Sequence, residues 1–207
     1  MKPKPATAAA DSASDLNQRI AGRVRELRAA QGLSLDTLAN RSGVSRSMIS
    51  LIERGESSPT AVVLEKLASG LGATLPSLFD GLSAKASGPT SPVSRREDQP
   101  EWRDPASGYI RRNISPVGLS QPMQIVEVHF PAGASVAFDN HLHGGRVHQQ
   151  IWLLEGAIEI SLGKERHRLR AGDCLAMQLD RPITFHNPTR KPARYAVVIA
   201  SETPSRR

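Results

Sequence analysis

The spacing of apolar, small and glycine residues between Leu35 and Arg54 constrains the fold of this chain more than any other feature. The segment reads LDTLANRSGVSRSMISLIER, with apolar residues at helical spacing on both sides of Gly43. Ala39, four residues before the glycine, is small enough to let two short helices pack closely. Glycine adopts positive φ at little cost, so the chain can turn sharply there. The segment therefore predicts two short helices held at a fixed angle, which is the helix-turn-helix arrangement.

Residues 15–80 predict an all-α domain of five helices that includes this pair. Apolar residues recur at helical spacing both before and after the helix-turn-helix segment. Ser34 and Ser45 are suitable N-caps for the two helices of the pair, because their hydroxyls can accept from unpaired backbone N–H groups. Thr60 is the expected N-cap of a fourth helix, and a short fifth helix is expected to end near Phe79.

Composition divides the rest of the chain into tails, a linker and a β domain. Residues 1–14 predict a disordered tail, and residues 202–207 are a short C-terminal tail. Residues 81–104 predict a linker because they are rich in Ser, Pro, Gly and charge. Between residues 105 and 201 the pattern changes to short strands bounded by turns. The strands are expected at 109–114, 123–130, 149–154, 157–162, 173–179 and 194–200. Six or more short strands with almost no helical pattern indicate a sandwich or barrel.

Charge and cysteine content narrow the class of protein. The net charge is +7, but residues 15–80 carry eight basic and seven acidic side chains. The charge excess therefore does not lie in the helix-turn-helix region, and net charge does not indicate DNA binding there. DNA binding must be judged from the positions of individual arginines. No apolar run approaches the roughly 20 residues of a membrane span, and the N-terminus has no apolar signal region. The single cysteine, Cys174, excludes an intramolecular disulfide, fits a reducing cytoplasm and is expected to be a buried strand residue.

The helical region resembles a known family of DNA-binding domains. Residues 20–79 resemble the Cro/repressor-type helix-turn-helix domain, also called the xenobiotic-response-element type. The matching residues are Ile20, Arg25, Leu27, Arg28, Leu33, Ser34, Leu38, Ala39, Gly43, Val44, Ser45, Ile49, Ser50, Glu53, Arg54, Gly55, Pro59 and Leu64. The resemblance implies a transcriptional regulator that binds double-stranded operator DNA as a homodimer, on two half-sites about one helical turn apart.

The second helix of the pair carries the candidate DNA-reading residues. Arg46 is the best candidate for base readout, because its planar fork can donate twice to guanine O6 and N7. Ser47 and Ser50 are expected to contact base edges or phosphates, and Ser45 to cap the helix and touch phosphate. Glu53 is expected to pair with an arginine of the first helix. The remaining expected phosphate contacts are Arg41, Arg54, Ser57, Ser58 and Thr60.

The β region resembles the cupin barrel of regulators in which a helix-turn-helix domain precedes a small cupin. The residues that carry this resemblance are 149–156, 169–173, 185–188 and 193–195. The resemblance implies an all-β double-stranded β-helix barrel at the C-terminus. We expect the barrel to provide the dimer contact.

The resemblance also implies where a cupin would bind a metal, and the usual ligands are replaced there. Gln149 stands where glutamate is usual, and Ile183 stands where the histidine of the second motif is usual. His141 and His143 are present but out of register with Gln149. An amide is a weak ligand and isoleucine is none. We therefore expect no tightly bound metal, no cofactor and no enzymatic activity.

Without a metal, the barrel interior remains as a pocket for a small, partly apolar effector. Its expected lining is His141, His143, His148, Gln149, Ile151, Ile183 and Phe185. A small-molecule-responsive regulator is the favoured function. In an open alternative the barrel binds no effector and only joins the two copies of a dimer. One alternative is a metal-dependent cupin enzyme, oxygenase-like or epoxidase-like, with an accessory helix-turn-helix domain. Another is a DNA-bound scaffold that senses nothing.

Overall fold

The computed structural model describes residues 6–79, 91–116, 119, 122–140 and 147–201. An N-terminal helical part precedes a β-rich part. The α-helices are Ala6–Ala30 (α1), Leu35–Ser42 (α2), Arg46–Glu53 (α3) and Ala61–Gly70 (α4), and 3-10 helices lie at Leu75–Phe79 and Arg96–Asp98. None of the described helices is long and apolar enough to cross a membrane.

Local sequence sets the ends of the short helices. Ser34, Ser45 and Thr60 are the N-caps of α2, α3 and α4, and each side chain accepts from a backbone N–H in the first turn. Gly43 ends α2 with φ of 67°, and its N–H donates to the carbonyl of Ala39. The sharp turn between α2 and α3 therefore lies at the glycine where the sequence predicts it.

The helical part differs from its prediction at both ends. Helix α1 begins at Ala6, although residues 1–14 were expected to be a disordered tail. The alanines between residues 6 and 14 have the highest helix propensity, which explains the extension. At the other end the described residues contain four α-helices instead of five, since Leu75–Phe79 is a 3-10 helix of five residues. Its second residue, Pro76, has no backbone N–H to donate.

The β part consists of two antiparallel sheets. Its described strands are Glu101–Arg103 (β1), Ile110–Asn113 (β2), Met123–Phe130 (β3), Ser135–Phe138 (β4), Val147–Glu155 (β5), Ala157–Leu162 (β6), Glu165–Arg170 (β7), Cys174–Gln178 (β8), Ile183–His186 (β9) and Ala193–Ser201 (β10). One sheet has the order β1-β2-β3-β10-β5-β8 and the other β4-β9-β6-β7. Inward side chains from both sheets belong to one buried core.

Four strands escaped the sequence prediction because they are short or strongly polar. Strands β4 and β9 have four residues each, and β7 reads ERHRLR with Leu169 as its buried residue. Strand β1 lies in the segment expected to be a linker, yet Trp102 is buried there and pairs with Arg111 of β2. The expectation that Cys174 is buried is also wrong, because it begins β8 and is exposed.

Asp104 joins the helical part to the β part. Its carboxylate accepts from the backbone N–H of Ala61 at 2.9 Å, at the start of α4, and from the backbone N–H of Ser107 at 2.8 Å. Next to it, the ring centroids of Phe79 and Trp102 lie 5.9 Å apart. The last residues of the expected linker therefore dock the two parts together, because they supply a buried acceptor and a buried ring.

Removal of the Asp104 carboxylate is expected to destabilise the protein. Asp104 is 2% exposed, so the substitution Asp104→Ala leaves the N–H of Ala61 buried without an acceptor. We expect the free energy of unfolding to fall by about 1–3 kcal/mol, measured by urea denaturation. Asp173→Ala is the matched control, because Asp173 also accepts a backbone N–H but lies in an exposed turn. Equal losses for the two variants would contradict a docking role for Asp104.

Candidate nucleic-acid interface and internal cavity

Helix α3 has one buried face and one exposed face. Ile49 and Ile52 are fully buried against the helical core. Arg46, Ser47 and Met48 are exposed on the opposite side and near the N-terminal end of the helix. Its first turn therefore offers a guanidinium, hydroxyls and a thioether to solvent.

Arg46 is held in place by a weak contact with α2. Its Nε lies 3.2 Å from Oδ1 of Asp36, and the two side chains are 66% and 71% exposed. Ion pairs this exposed contribute little to stability. The guanidinium of Arg46 can therefore leave Asp36 at small cost, which is compatible with its predicted role in base readout.

Arg54 is more firmly engaged than Arg46. Its guanidinium donates to both carboxylate oxygens of Glu56, at 2.8 and 2.7 Å, and to the hydroxyl of Ser50 at 2.6 Å. The hydrogen bonds from Arg54 lower the pKa of Glu56, so the carboxylate stays ionised at neutral pH. A DNA phosphate that bound Arg54 would have to displace Glu56, although both residues are exposed.

The other predicted phosphate contacts have local partners. Ser58 Oγ accepts from the side-chain amide of Asn17 at 3.0 Å, and Ser57 lies 3.8 Å from the sulfur of Met48. Thr60 caps α4, which leaves its hydroxyl committed to the backbone of Val63. Of these side chains Ser57 contacts α3 directly, and phosphate contacts through the backbone N–H groups of this loop stay a prediction.

Arg41 lies at a different place from the other predicted contacts. It lines a groove of about 310 Å³ between α2, α4 and the end of β4, together with Lys66 and Asp139. The structure therefore associates Arg41 with the junction of the helical and β parts. Helical periodicity alone did not reveal this neighbour, because the β part is distant in sequence.

Met48 is a candidate interface residue that the sequence analysis did not select. It is 38% exposed on α3 although it is apolar. An exposed thioether suits contact with the methyl group of thymine. Spacing alone gave no signal for this, because Met48 lies four residues before the buried Ile52 and so fits helical spacing with it.

The predicted pairing of Glu53 with an arginine of the first helix is confirmed. Arg28 of α1 donates from Nε and Nη2 to the two oxygens of Glu53, at 2.6 and 2.8 Å. Its Nη1 donates to the carbonyl of Leu33 at 2.8 Å. The hydrogen bond to Glu53 raises the pKa of Arg28, in spite of partial burial. This bidentate pair fixes α3 against α1 and thereby aims its exposed face.

An internal cavity of about 60 Å³ lies where the two sheets meet the helical part. Three of the predicted pocket residues, Gln149, Ile183 and Phe185, line it. Ile151 is fully buried but does not belong to the lining. His148 does not line it either, because neighbouring strand residues point to opposite faces and Gln149 points inward. The predicted contacts His141 and His143 lie outside the described residues.

The lining also contains charged and aromatic residues that the sequence reasoning passed over. Arg111 of β2 lines the cavity with Tyr109 and Tyr195, and Glu65 of α4 closes it from the helical side. Arg111 and Arg112 are consecutive in one strand, so one of the two guanidiniums had to point inward. That signal was present in the sequence and would have identified Arg111 or Arg112 as an interior cation.

Among the described residues there is no group of three or more His, Cys, Asp or Glu side chains that could hold a metal ion. At the two usual ligand positions the cavity lining contains the amide of Gln149 and the aliphatic side chain of Ile183. What the described cavity offers chemically is one cation, one carboxylate, amides, phenols and an apolar wall.

Family profiles match a segment in each of the two parts of the chain. The helix-turn-helix family profile matches residues 24–78, and the cupin domain profile matches residues 126–199. The chain is 44% identical to the HTH-type transcriptional regulator SutR of Escherichia coli over 57 residues, which are 28% of this chain and 32% of that protein. It is 36% identical over 64 residues to the HTH-type transcriptional regulator DdrOP3 of Deinococcus deserti, covering 31% of this chain and 50% of that one.

A solved structure extends the likeness to both parts together. The HTH_3 family transcriptional regulator from Vibrio cholerae superposes with a TM-score of 0.72 at 28% identity, over 92% of this chain and 99% of that one. By contrast, the chain spans only about a third to a half of the curated relatives' length. The order of a helix-turn-helix domain followed by a cupin is therefore shared along nearly the whole chain with one solved protein.

Substitution of Arg46 is expected to change sequence preference as well as affinity. On duplexes selected from a randomised pool, Arg46→Ala should weaken binding by about 1–3 kcal/mol and relax preference at one base pair. Arg54→Ala should instead weaken binding to all sequences alike. It should also lower the slope of log affinity against log salt concentration by about 1. Fluorescence anisotropy against selected and scrambled duplexes measures both effects.

The matched control for Arg46 is Arg25→Ala, which removes an equally charged, exposed side chain from α1 instead of α3. It should leave the base preference unchanged. If Arg46→Ala weakened selected and scrambled duplexes by the same factor, Arg46 would bind phosphate and not bases.

Proposed function

We propose that this chain, in which a helix-turn-helix domain precedes a cupin domain, is a sequence-specific transcriptional regulator that acts in the cytoplasm. The observation that carries the proposal is the exposed face of α3, which follows a glycine turn and is held by the Arg28–Glu53 pair. The likeness to transcriptional regulators over this domain, and to one over nearly the whole chain, supports it.

In this proposal α3 enters the major groove with its N-terminal turn foremost. Arg46 leaves Asp36 and donates to a guanine, while Ser47 and Met48 contact neighbouring base edges. Ser45, Ser50, Arg54 and the turn at Ser57, Ser58 and Thr60 orient the domain on the phosphates. Arg41 contacts phosphate only if the groove beside β4 admits the backbone of the duplex.

The protein is proposed to act as a homodimer joined through the outer face of the larger sheet. On β3, β5, β8 and β10 this face carries Met123, Ile125, Trp152 and Cys174, of which Met123 is 55% and Trp152 53% exposed. Its uncharged neighbours there are alanines, Val198 and Gln150, and Glu127, which pairs with Arg112 and Arg194, borders them. An exposed apolar patch of this kind is typical of an interface, and a two-fold axis through it would pair two helix-turn-helix domains.

The cupin cavity is proposed to bind a small effector that regulates DNA binding. The cavity is lined from the β part and from α4, which follows α3 directly in the chain. A ligand that contacts both parts binds one arrangement of them more tightly than another. Such differential affinity is what shifts operator binding.

A metal-dependent cupin enzyme is the second candidate function, and elemental analysis of the purified protein separates it from the first. The enzyme requires iron, manganese or zinc in a one-to-one ratio with the chain, held through His141, His143 and His148. The regulator requires no metal for DNA binding. In the described residues no observation favours the enzyme.

The decisive experiment is selection of duplexes from a randomised pool by the purified full-length chain. We expect enrichment of an inverted repeat with half-sites about one helical turn apart. Absence of any enriched sequence would overturn the proposed function. Footprinting upstream of its own gene then identifies a natural site.

Disruption of the apolar sheet face is expected to produce monomers. Trp152→Glu places a charge where the second copy would pack, so light scattering should report half the mass of the parent protein. Loss of the second half-site should weaken operator binding by about 100-fold or more. The control is Val93→Glu, since Val93 is 52% exposed but lies outside this face. If the Trp152→Glu variant remained dimeric, the dimer interface would have to lie outside this face.

A further inference from the structure

The cation inside the cupin cavity is the least explained charge of the described structure. Arg111 is 6% exposed, and among the described residues its Nε and one Nη have no hydrogen-bond partner. A buried polar group without a partner costs free energy, and a buried charge costs much more. Burial lowers the pKa of Arg111, and the nearby Tyr109 and Glu65 oppose this only in part. An unsatisfied cation of this kind indicates a missing anion.

The neighbouring arginine of the same strand has carboxylate partners, which Arg111 lacks, although the Nε of Arg112 also has no hydrogen-bond partner among the described residues. Arg112 points to the opposite face of β2, where it pairs with Glu127 and lies 3.6 Å from Glu101. Arg111 has one partial compensation, since its Cζ lies 5.6 Å from the ring centroid of Phe79. A single cation–π contact does not replace two hydrogen bonds.

The cavity sets the size and the polarity of the missing group. Its volume is about 60 Å³, and one water needs about 10–15 Å³, so it has room for about four to six non-hydrogen atoms. Val136, Ile183 and Phe185 provide an apolar wall. Arg111 and the amide of Gln149 provide donors.

The one acidic residue of the described lining limits the charge of the ligand. Glu65 lies on α4 and accepts from Ser69 at 3.5 Å. A second negative charge on the ligand would meet this carboxylate in a region of low dielectric. Phosphate and dicarboxylates are therefore disfavoured, whereas a single carboxylate is matched by Arg111.

We propose that the cavity binds a small monocarboxylate on a short apolar stem, with Arg111 as the residue that pairs with the carboxylate. This inference rests on the proposed effector function and names its chemical class. The same guanidinium lies against the ring of Phe79, at the end of the helical part. An anion that pairs with Arg111 and shifts its guanidinium therefore changes the contact between Arg111 and Phe79. The ligand thereby acts on the junction between the sensor and the DNA-binding domain.

Thermal unfolding of the full-length chain tests the proposal at constant ionic strength. The probes are propionate, butyrate and alanine. Alanine carries the same carboxylate and tests whether the ligand is an amino acid. Propionamide and butyramide are the uncharged controls of matched shape. We expect at least one carboxylate to raise the Tm in a saturable manner, and neither amide to do so.

Two variants assign the response to Arg111. Arg111→Met keeps the length of the stem and removes the charge, so it should weaken carboxylate binding by about 10- to 100-fold. Its own Tm should be equal to or above that of the parent, because an unpaired buried charge is removed. Arg112→Met is the matched control: it breaks the outer ion pairs and lowers the Tm, but the response to carboxylates should remain.

Three results would overturn the proposal. They are the absence of a saturable shift with every carboxylate, an equal shift with the amides, and an unchanged response in Arg111→Met. The comparison of carboxylates with amides in the parent protein decides the matter even if a variant does not fold. Duplex selection without any carboxylate tests DNA binding separately, so loss of the effector class and loss of the regulatory function give different results.

Discussion

A continuous row of aromatic rings holds the helical and β parts in one core. The chain has eight aromatic residues, and seven of them contact one another in sequence, with ring centroids 5.9–6.2 Å apart. In spatial order they are Phe79, Trp102, Tyr109, Phe130, Tyr195, Phe185 and Phe138. The row starts at the end of the helical part and ends beside the cavity. The position of α3 relative to the cavity depends on this packing, because interiors are close-packed and transmit small shifts.

Local chemistry explains why much of the helical domain could be predicted. The caps at Ser34 and Ser45 and the turn at Gly43 are local features, and so is the alternation of the long strands. What the sequence did not reveal depends on distant partners. Trp102 and Asp104 look like linker residues until Phe79 and the start of α4 are placed beside them.

The same distinction between local features and distant partners applies to the candidate sites. Arg46 could be selected from its position in α3 alone, whereas its pairing with Asp36 needed the structure. In the cavity, the strand positions of Gln149 and Ile183 were predictable by alternation, but the interior position of Arg111 was not recognised. Strand β2 is four residues long, so no alternating apolar pattern marked which of its arginines faces inward.

The clamp of Glu56 on Arg54 has a consequence for how such a regulator would find its site in a genome. If Arg54 contacts phosphate as proposed, the carboxylate of Glu56 must first be displaced, which raises the cost of that contact at random sequences as well as correct ones. Because this cost is the same at both kinds of site, dwell times shorten by about the same factor at random sequences and at the operator. Because competing sites outnumber operators by many orders of magnitude, a residue that weakens binding everywhere can shorten the search for the correct one.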